Sequence, residues 1–369
     1  MNAPRHGGEI FAASRRQGVP VSRMLDFSSN INPLGPSPKA LRRLRRELNL
    51  IRFYPESQNE EVRRMVAQRE GIDPKSILFG NGASQLLHAI PRLLKPENAL
   101  IVEPGFAEYE AALRAVGCKM HRLYLESETD FRLDRAALFR AVGRSRPKLI
   151  LLGNPNNPTG GTIPDPLLLE LLEYCATRRI HLVLDESFVD FSSCRSLLAE
   201  ASRRPYLVVV RSLTKFWALP GLRIGFLSAR EAFVEKLSAH MEPWSVNTLA
   251  WAAAAASLGD SEYRQKTLML VRKERAFLSE QFSQLGWLKP YPSEANFLLV
   301  RITAETLSSN HLQARLEDRN ILIRDAGNFP GLGRQYIRIA VRNRPENERL
   351  IAELCSIGRS LGPGKRRAL

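Results

Sequence analysis

The sequence is poor in the residues that build metal centres and disulfide frameworks. Its 369 residues include four cysteines, Cys118, Cys175, Cys194 and Cys355, and six histidines. No two cysteines fall at C-x-x-C spacing, which argues against a zinc site and against a disulfide scaffold, so reduced cysteines and no metal are expected. Also missing is any run of the roughly 18 to 20 apolar residues that a membrane span needs. The opening MNAPRHGGEI lacks the apolar block of a signal peptide, and a cytoplasmic location without membrane attachment is expected. There is no internal repeat and no low-complexity linker. Acidic residues are in deficit, 38 against 54 basic ones, for a formal charge of +16. The basic groups are spread along stretches such as RRLRR, which reads as solvated surface rather than a nucleic-acid footprint. The closing GPGKRRAL reads as a frayed basic tail.

What is present is an ordinary globular composition, 44% hydrophobic and 25% charged, in a chain long enough for two domains with a cleft between them. Short apolar runs bounded by turn residues recur at 99–104, 148–155, 181–187 and 206–213 and read as buried strands. Between them 106–116 and 165–179 have helical periodicity, the second opened by Pro164, Asp165 and Pro166. Alternating strand and helix implies an α/β fold with a mostly parallel sheet flanked by helices, whose ligands gather beyond the carboxyl ends of the strands. From about 245 to 285 the pattern turns helical, and strands return at 296–302 and 335–341. A large domain over 46–260 and a smaller α+β domain built from 1–45 and 261–369 are expected.

Polar residues concentrate at the strand ends. GNGAS at 80–84 is a glycine-rich turn leading into a helix, where free amides, the helix dipole and the Ser84 hydroxyl suit a phosphate. GNPNNPTGG at 153–161 presents Asn157 as a rigidly held amide. Asp185 ends a strand, and a buried carboxylate there needs a cationic partner. In RSLTKFWALPGLRIGF at 211–226, Lys215 lies among Phe216, Trp217 and Leu219, where burial lowers an amine pKa as a Schiff-base lysine requires. Ser212 and Arg223 flank it and can complete a phosphate cup. Each feature alone has a plainer reading: a turn that binds nothing, a Pro/Asn turn stack, an internal Asp–Arg pair, an exposed lysine. Together, a phosphate cup, a pyridinium-facing aspartate and an imine-forming lysine are the three handles of pyridoxal 5′-phosphate.

NPNNPTG, LDES and SLTKFWALPGLRIG, in this order and separation, resemble the fold-type I pyridoxal phosphate enzymes of the aspartate aminotransferase superfamily, in their histidinol-phosphate aminotransferase branch. The resemblance covers nearly the whole chain. It implies that Lys215 carries the cofactor, Asp185 pairs with its pyridine nitrogen and Asn157 bonds its ring oxygen. It further implies that Ala83, Ser84, Ser212 and Arg223 hold the phosphate and that Phe106 of EPGFAEYE stacks on the ring. Tyr54 of FYPE falls where a tyrosine reaches the partner subunit's cofactor, which implies a homodimer with shared sites. One departure is Phe188, at a position where the family often has a tyrosine that bonds the ring oxygen.

HGGEI at 6–10 and LDFSSNINPLGP at 25–36 look like the threonine-phosphate decarboxylases of cobalamin biosynthesis, as do IRDAGNFPGL at 323–332 and YIRIAVRNRPEN at 336–347. That likeness implies a carboxy-lyase acting on L-threonine O-3-phosphate. Arg338 is expected to grip the substrate carboxylate with help from Asn157 and Asn30, and His6, Asn32 and Arg324 are candidates for the substrate phosphate, with Arg342 a further one. An aminotransferase acting on histidinol phosphate and a decarboxylase of L-serine O-phosphate remain open, because one methyl group is worth only about 1–3 kcal/mol of discrimination. A regulatory protein of the same fold would need an added DNA-binding domain, for which the pattern leaves no room.

Overall fold

The apolar runs become strands covered on both faces, which is why they read as unbroken hydrophobic stretches rather than alternating ones. The computed structural model describes residues 7–361. Its large sheet has seven strands, β1 (Ile77–Gly80), β2 (Asn98–Glu103), β3 (Lys119–Tyr124), β4 (Leu149–Gly153), β5 (His181–Asp185), β6 (Leu207–Ser212) and β7 (Gly225–Ser228). Their order across the sheet is β1-β7-β6-β5-β4-β2-β3. Strands β2 to β6 run parallel, and β7 is antiparallel to β1 and β6. Helices including Ala83–Leu94, Ala107–Arg114, Arg135–Ser145 and Asp165–Arg178 cross between the strands.

A second, four-stranded antiparallel sheet runs in the order Arg324–Asp325, Tyr336–Ala340, Phe297–Ile302, Leu288–Pro290. It has its own core, in which Phe27, Leu298, Ile339 and Leu354 are fully buried. The N-terminal segment, expected to join this lobe as a whole, divides instead. Leu25–Asp26 pairs in parallel with Ile321–Leu322 in the small lobe, whereas helix Pro38–Glu47 packs on helix Thr248–Leu258, burying Ala40 in the core of the large one. The physical reason is its strongly sided pattern: the small residue Ala40 faces the alanine-rich helix while arginines line the opposite face. Helix Ser261–Gln284 begins in the large-lobe core with Tyr263 and Val271 and ends in the small-lobe core with Leu278 and Phe282.

Candidate active site

Register brings the strand ends together before any side chain is considered. On β7, Gly225 lies opposite both Gly80 of β1 and Ser212 of β6. A Cβ on Gly225 would sit 2.6 Å from the Ala83 amide nitrogen and 2.7 Å from the Arg211 carbonyl, so only glycine lets the helix start dock this closely. The helix beginning at Ala83 has Gly82 at its N-cap, at φ 79° and with no side-chain cap, which leaves its first N–H groups for a ligand. Arg223 completes the cradle: its Nη2 lies 2.5 Å from where a Cβ on Gly82 would be. Its backbone is held at φ 57°, a left-handed conformation that a non-glycine residue occupies at a cost and that tends to mark functional sites. Ser212 is buried, with its Oγ 2.7 Å from Thr214 Oγ1.

Ala83, Ser84, Ser212, Thr214 and Arg223 border a cavity of about 640 Å³ that also contacts Asn30, Phe106, Asn157, Asp185 and Lys215. Lys215 sits in the short helix Leu213–Phe216 just after β6. Burial, reinforced by the Arg338 and Arg223 guanidiniums and opposed by Asp185, pushes its amine down to about 8. Asp185 is buried at the end of β5, and burial pushes its carboxyl up. Against that, Oδ1 accepts the Ser187 amide (2.9 Å) and hydroxyl (2.5 Å), and Oδ2 accepts the Tyr109 hydroxyl (2.9 Å). Hydrogen bonds to the charged form hold a carboxylate ionised against desolvation.

In the NPNNPTG turn the side chains of Asn154 and Asn156 are turned to structural ties. Asn154 Oδ1 accepts the Ile163 amide, and Asn156 Nδ2 donates to the Pro104 carbonyl and to Thr159 Oγ1. That leaves Asn157 to face the cavity, with its Oδ1 accepting Arg338 Nη1 at 2.6 Å. Arg338 also donates from Nη2 to the Ser28 carbonyl at 2.9 Å, and its buried Nε has no partner among the described residues. Directly across the small sheet from Arg338 lies Arg324. Both are buried and both border the cavity. Burial first, then the Arg324 charge, pulls Arg338 down to about 9. Two guanidiniums facing each other across one sheet repel unless an anion joins them. Arg324 donates to the Asp325 carbonyl and to Asn328 Oδ1 and lies 5.1 Å from the Phe329 ring centre. Arg342, also at the cavity edge, is held bidentately by Glu346.

Most of the expected site residues therefore meet at one cavity, but not all. Asn32 is a correction to the sequence expectation. Its amide donates to the Phe216 carbonyl (2.8 Å) and to Thr267 Oγ1 (2.7 Å), and its Oδ1 accepts the Leu34 amide. Both ends of that side chain are spent on ties inside the fold, so it has nothing to offer a substrate phosphate. Tyr54 is 82% exposed and packs on Trp244 with ring centres 4.7 Å apart, away from this chain's cavity. His6 and the basic tail lie outside the described residues. The neighbouring Gly7 and Gly8 border the cavity, and the Gly8 amide donates to Ser28 Oγ. Phe188, the departure from the family pattern, is buried edge-on against Phe297 at 5.0 Å. Tyr109 lies within EPGFAEYE and Ser28 within LDFSSNINPLGP, but neither was expected as a site residue. The only signal for Tyr109 is its position three residues after Phe106, one turn along the same helix face.

The cradle fits a phosphorylated pyridine aldehyde: helix amides and Arg223 for the phosphate, Asp185 for a ring nitrogen, Asn157 for a ring oxygen, and the depressed amine of Lys215 for the aldehyde carbon. Comparison with known proteins points the same way. A family model described as aminotransferase class I and II matches residues 22–354. The chain is similar to a threonine-phosphate decarboxylase of Salmonella typhimurium, 38% identical over 97% of this chain and 98% of the relative. It is also similar to the crystal structure of L-threonine-O-3-phosphate decarboxylase from Porphyromonas gingivalis (TM-score 0.80, 30% identity, 90% of this chain and 99% of that one). The histidinol-phosphate aminotransferase from Clostridium acetobutylicum superposes comparably (TM-score 0.83, 28% identity, 91% of this chain and 100% of that one).

Proposed function

The chain belongs to the class I and II aminotransferase family, and from that premise we propose that it is a pyridoxal 5′-phosphate-dependent decarboxylase of L-threonine O-3-phosphate. The product would be (R)-1-amino-2-propanol O-2-phosphate, the linker unit that the resemblance assigns to cobalamin assembly. When bound, the cofactor supplies a protonated ring that accepts the electron pair left as carbon dioxide departs from the substrate Cα.

The chain's own residues do the rest. Asp185, dry and hydrogen-bonded by Ser187 and Tyr109, is the anion that keeps a ring nitrogen protonated. Lys215, with its amine near 8, exists near neutral pH as a mixture of free amine and ammonium. It can therefore act first as a nucleophile and afterwards as the acid that returns a proton to Cα. Arg338 holds the substrate carboxylate, and its bond to Asn157 turns that amide so that Nδ2 is left for the ring oxygen. By fixing the substrate carboxylate, Arg338 would set which Cα bond is broken, the one to the carboxylate or the one to hydrogen.

The observation that carries this reading is the pair of buried arginines, Arg338 and Arg324, opposite each other on the small sheet and facing the cavity. A substrate with both a carboxylate and a phosphate supplies two anions to two cations. The reading includes a homodimer, supported by the exposed apolar strip of Leu48, Ile51, Phe53, Tyr54 and Trp244, in which Tyr54 would reach the partner's site. It also includes a cytoplasmic site of action. Among the described residues no helix is long and apolar enough to cross a membrane.

The test is to incubate the cofactor-loaded protein with L-threonine O-phosphate and follow carbon dioxide, with L-serine O-phosphate, and histidinol phosphate plus 2-oxoglutarate, in parallel. Carbon dioxide release from threonine phosphate at a specificity above that for serine phosphate is expected. Transamination of histidinol phosphate with no carbon dioxide release would overturn the proposal in favour of the aminotransferase reading.

A further inference from the structure

We propose that Tyr109 is a positioning residue that keeps the Asp185 carboxylate ionised and turned toward the cofactor, and that position 153 is glycine to make room for the Tyr109 hydroxyl. The inference rests on the functional reading above, since it concerns the anion that faces the cofactor ring.

Asp185 is 7% exposed and Tyr109 is 3% exposed, so the bond between them is sheltered from water. The titratable groups that act on the carboxylate are few: Lys215 from the segment after β6 and Tyr109 from helix Ala107–Arg114, with the neutral donor Ser187 from the loop after β5. Ser187 takes Oδ1 alone, through its amide and its hydroxyl. The other oxygen has one described donor, the Tyr109 hydroxyl at 2.9 Å. A buried carboxylate with one oxygen undressed gains a proton readily, and a protonated Asp185 would surrender the charge that keeps a ring nitrogen protonated. Burial and the neighbouring Asp185 charge push the Tyr109 phenol well above its ordinary range, so it remains a donor.

The tyrosine is itself held in place. Its amide donates to the Phe106 carbonyl at 3.0 Å, and its ring meets Phe106 edge-on with centres 5.7 Å apart. Behind the hydroxyl lies Gly153, the register partner of Asp185 on β4. A Cβ there would stand 3.1 Å from Tyr109 Oη and 3.3 Å from Asn156 Cα. Filling hydrophobic space is not enough to explain the residue, because phenylalanine would fill it equally well. What the hydroxyl adds is the bond to Oδ2, and the strand opposite has been left without a side chain at that point.

The test uses holoenzyme loaded with cofactor carrying ¹⁵N in the ring. In the wild type the ring-nitrogen resonance is expected at the pyridinium position. In Tyr109→Phe it moves toward neutral pyridine, and cofactor affinity falls roughly tenfold, the scale of one hydrogen bond to a charged group. Gly153→Ala, whose methyl crowds the hydroxyl without altering it, shifts the resonance the same way by a smaller amount and serves as the second variant should Tyr109→Phe fold poorly. A pyridinium resonance unchanged in the folded variants, with affinity within about twofold of wild type, would show that Tyr109 only packs. A wild-type protein that binds no cofactor, or whose borohydride-trapped label is not on Lys215, would sink the functional reading instead.

Discussion

At the scale of single residues, reactivity follows from neighbours rather than from identity. Lys215 is an ordinary lysine made acidic by burial and by two guanidiniums, so the pH at which the apoprotein takes up an aldehyde is expected to centre near 8 rather than near the 10.5 of a free lysine. Arg338→Met removes one of those cations and should move the midpoint upward, which a pH series of aldehyde uptake followed by borohydride trapping will read. Glu103 gives a second case. It is buried beside the turn carrying Phe106, accepts the Gly105 amide at 2.7 Å, and burial pushes its carboxyl up to about 7 from 4.5. The folded protein then binds a proton the unfolded chain would release, so this contribution to stability is complete below about 4.5 and is lost as pH rises through about 7. Glu103→Gln should therefore be the more stable protein at pH 8, by on the order of 2–3 kcal/mol, with little difference at pH 4, as urea unfolding at the two pH values would reveal. Lys215, Asp185 and Asn157 were legible in the sequence because each sits in a motif whose neighbours constrain it. Tyr109 and Ser28 were not, because one contributes through a hydroxyl placed by helix geometry and the other through a backbone carbonyl. Asn32 misled for the converse reason: a motif asparagine looks the same whether its amide faces a ligand or closes a loop.

At the scale of elements, the longer strands buried on both faces announced themselves as apolar runs, whereas β1 and β7, equally buried but four residues long, gave no run to read. β3, KMHRLY, is a half-exposed edge strand, and its mixture of charged and apolar residues gives no continuous run to read. In helix Pro38–Glu47, capped by Ser37 at the Ala40 amide, amphipathic patterning says which face is buried and not against what. The junction of β1, β7 and β6 yields a sharp expectation. Gly225→Ala inserts a methyl against two backbones, the Ala83 amide and the Arg211 carbonyl, neither of which can rotate away. A loss of about 1–3 kcal/mol in unfolding free energy is expected, together with weaker cofactor binding because the start of the phosphate-holding helix is displaced. Both are measurable on the same preparation by denaturant titration and by fluorescence titration with cofactor. Gly143→Ala, whose added methyl meets nothing within 4 Å and which lies outside the cavity lining, is the control expected to leave cofactor binding unchanged without lowering stability.

At the scale of the whole molecule, the chain ends behave as the pattern of the sequence implied only in part, since membership in a lobe is decided by long-range packing that no local signal carries. The exposed strip of Leu48, Ile51, Phe53, Tyr54 and Trp244 is too apolar to leave in water. If the proposed homodimer forms through this strip, Ile51→Arg with Phe53→Arg is expected to leave a monomer in analytical ultracentrifugation where the wild type sediments as a dimer, with loss of activity. Helix Ser261–Gln284 has the last word on how the molecule comes apart. It donates Tyr263 and Val271 to one hydrophobic core and Leu278 and Phe282 to the other, and Asn32 ties its Thr267 to the segment carrying Lys215. Sharing this rod couples the two cores, so heat is expected to dissolve both lobes in one cooperative transition, read in calorimetry as a single peak with equal calorimetric and van't Hoff enthalpies.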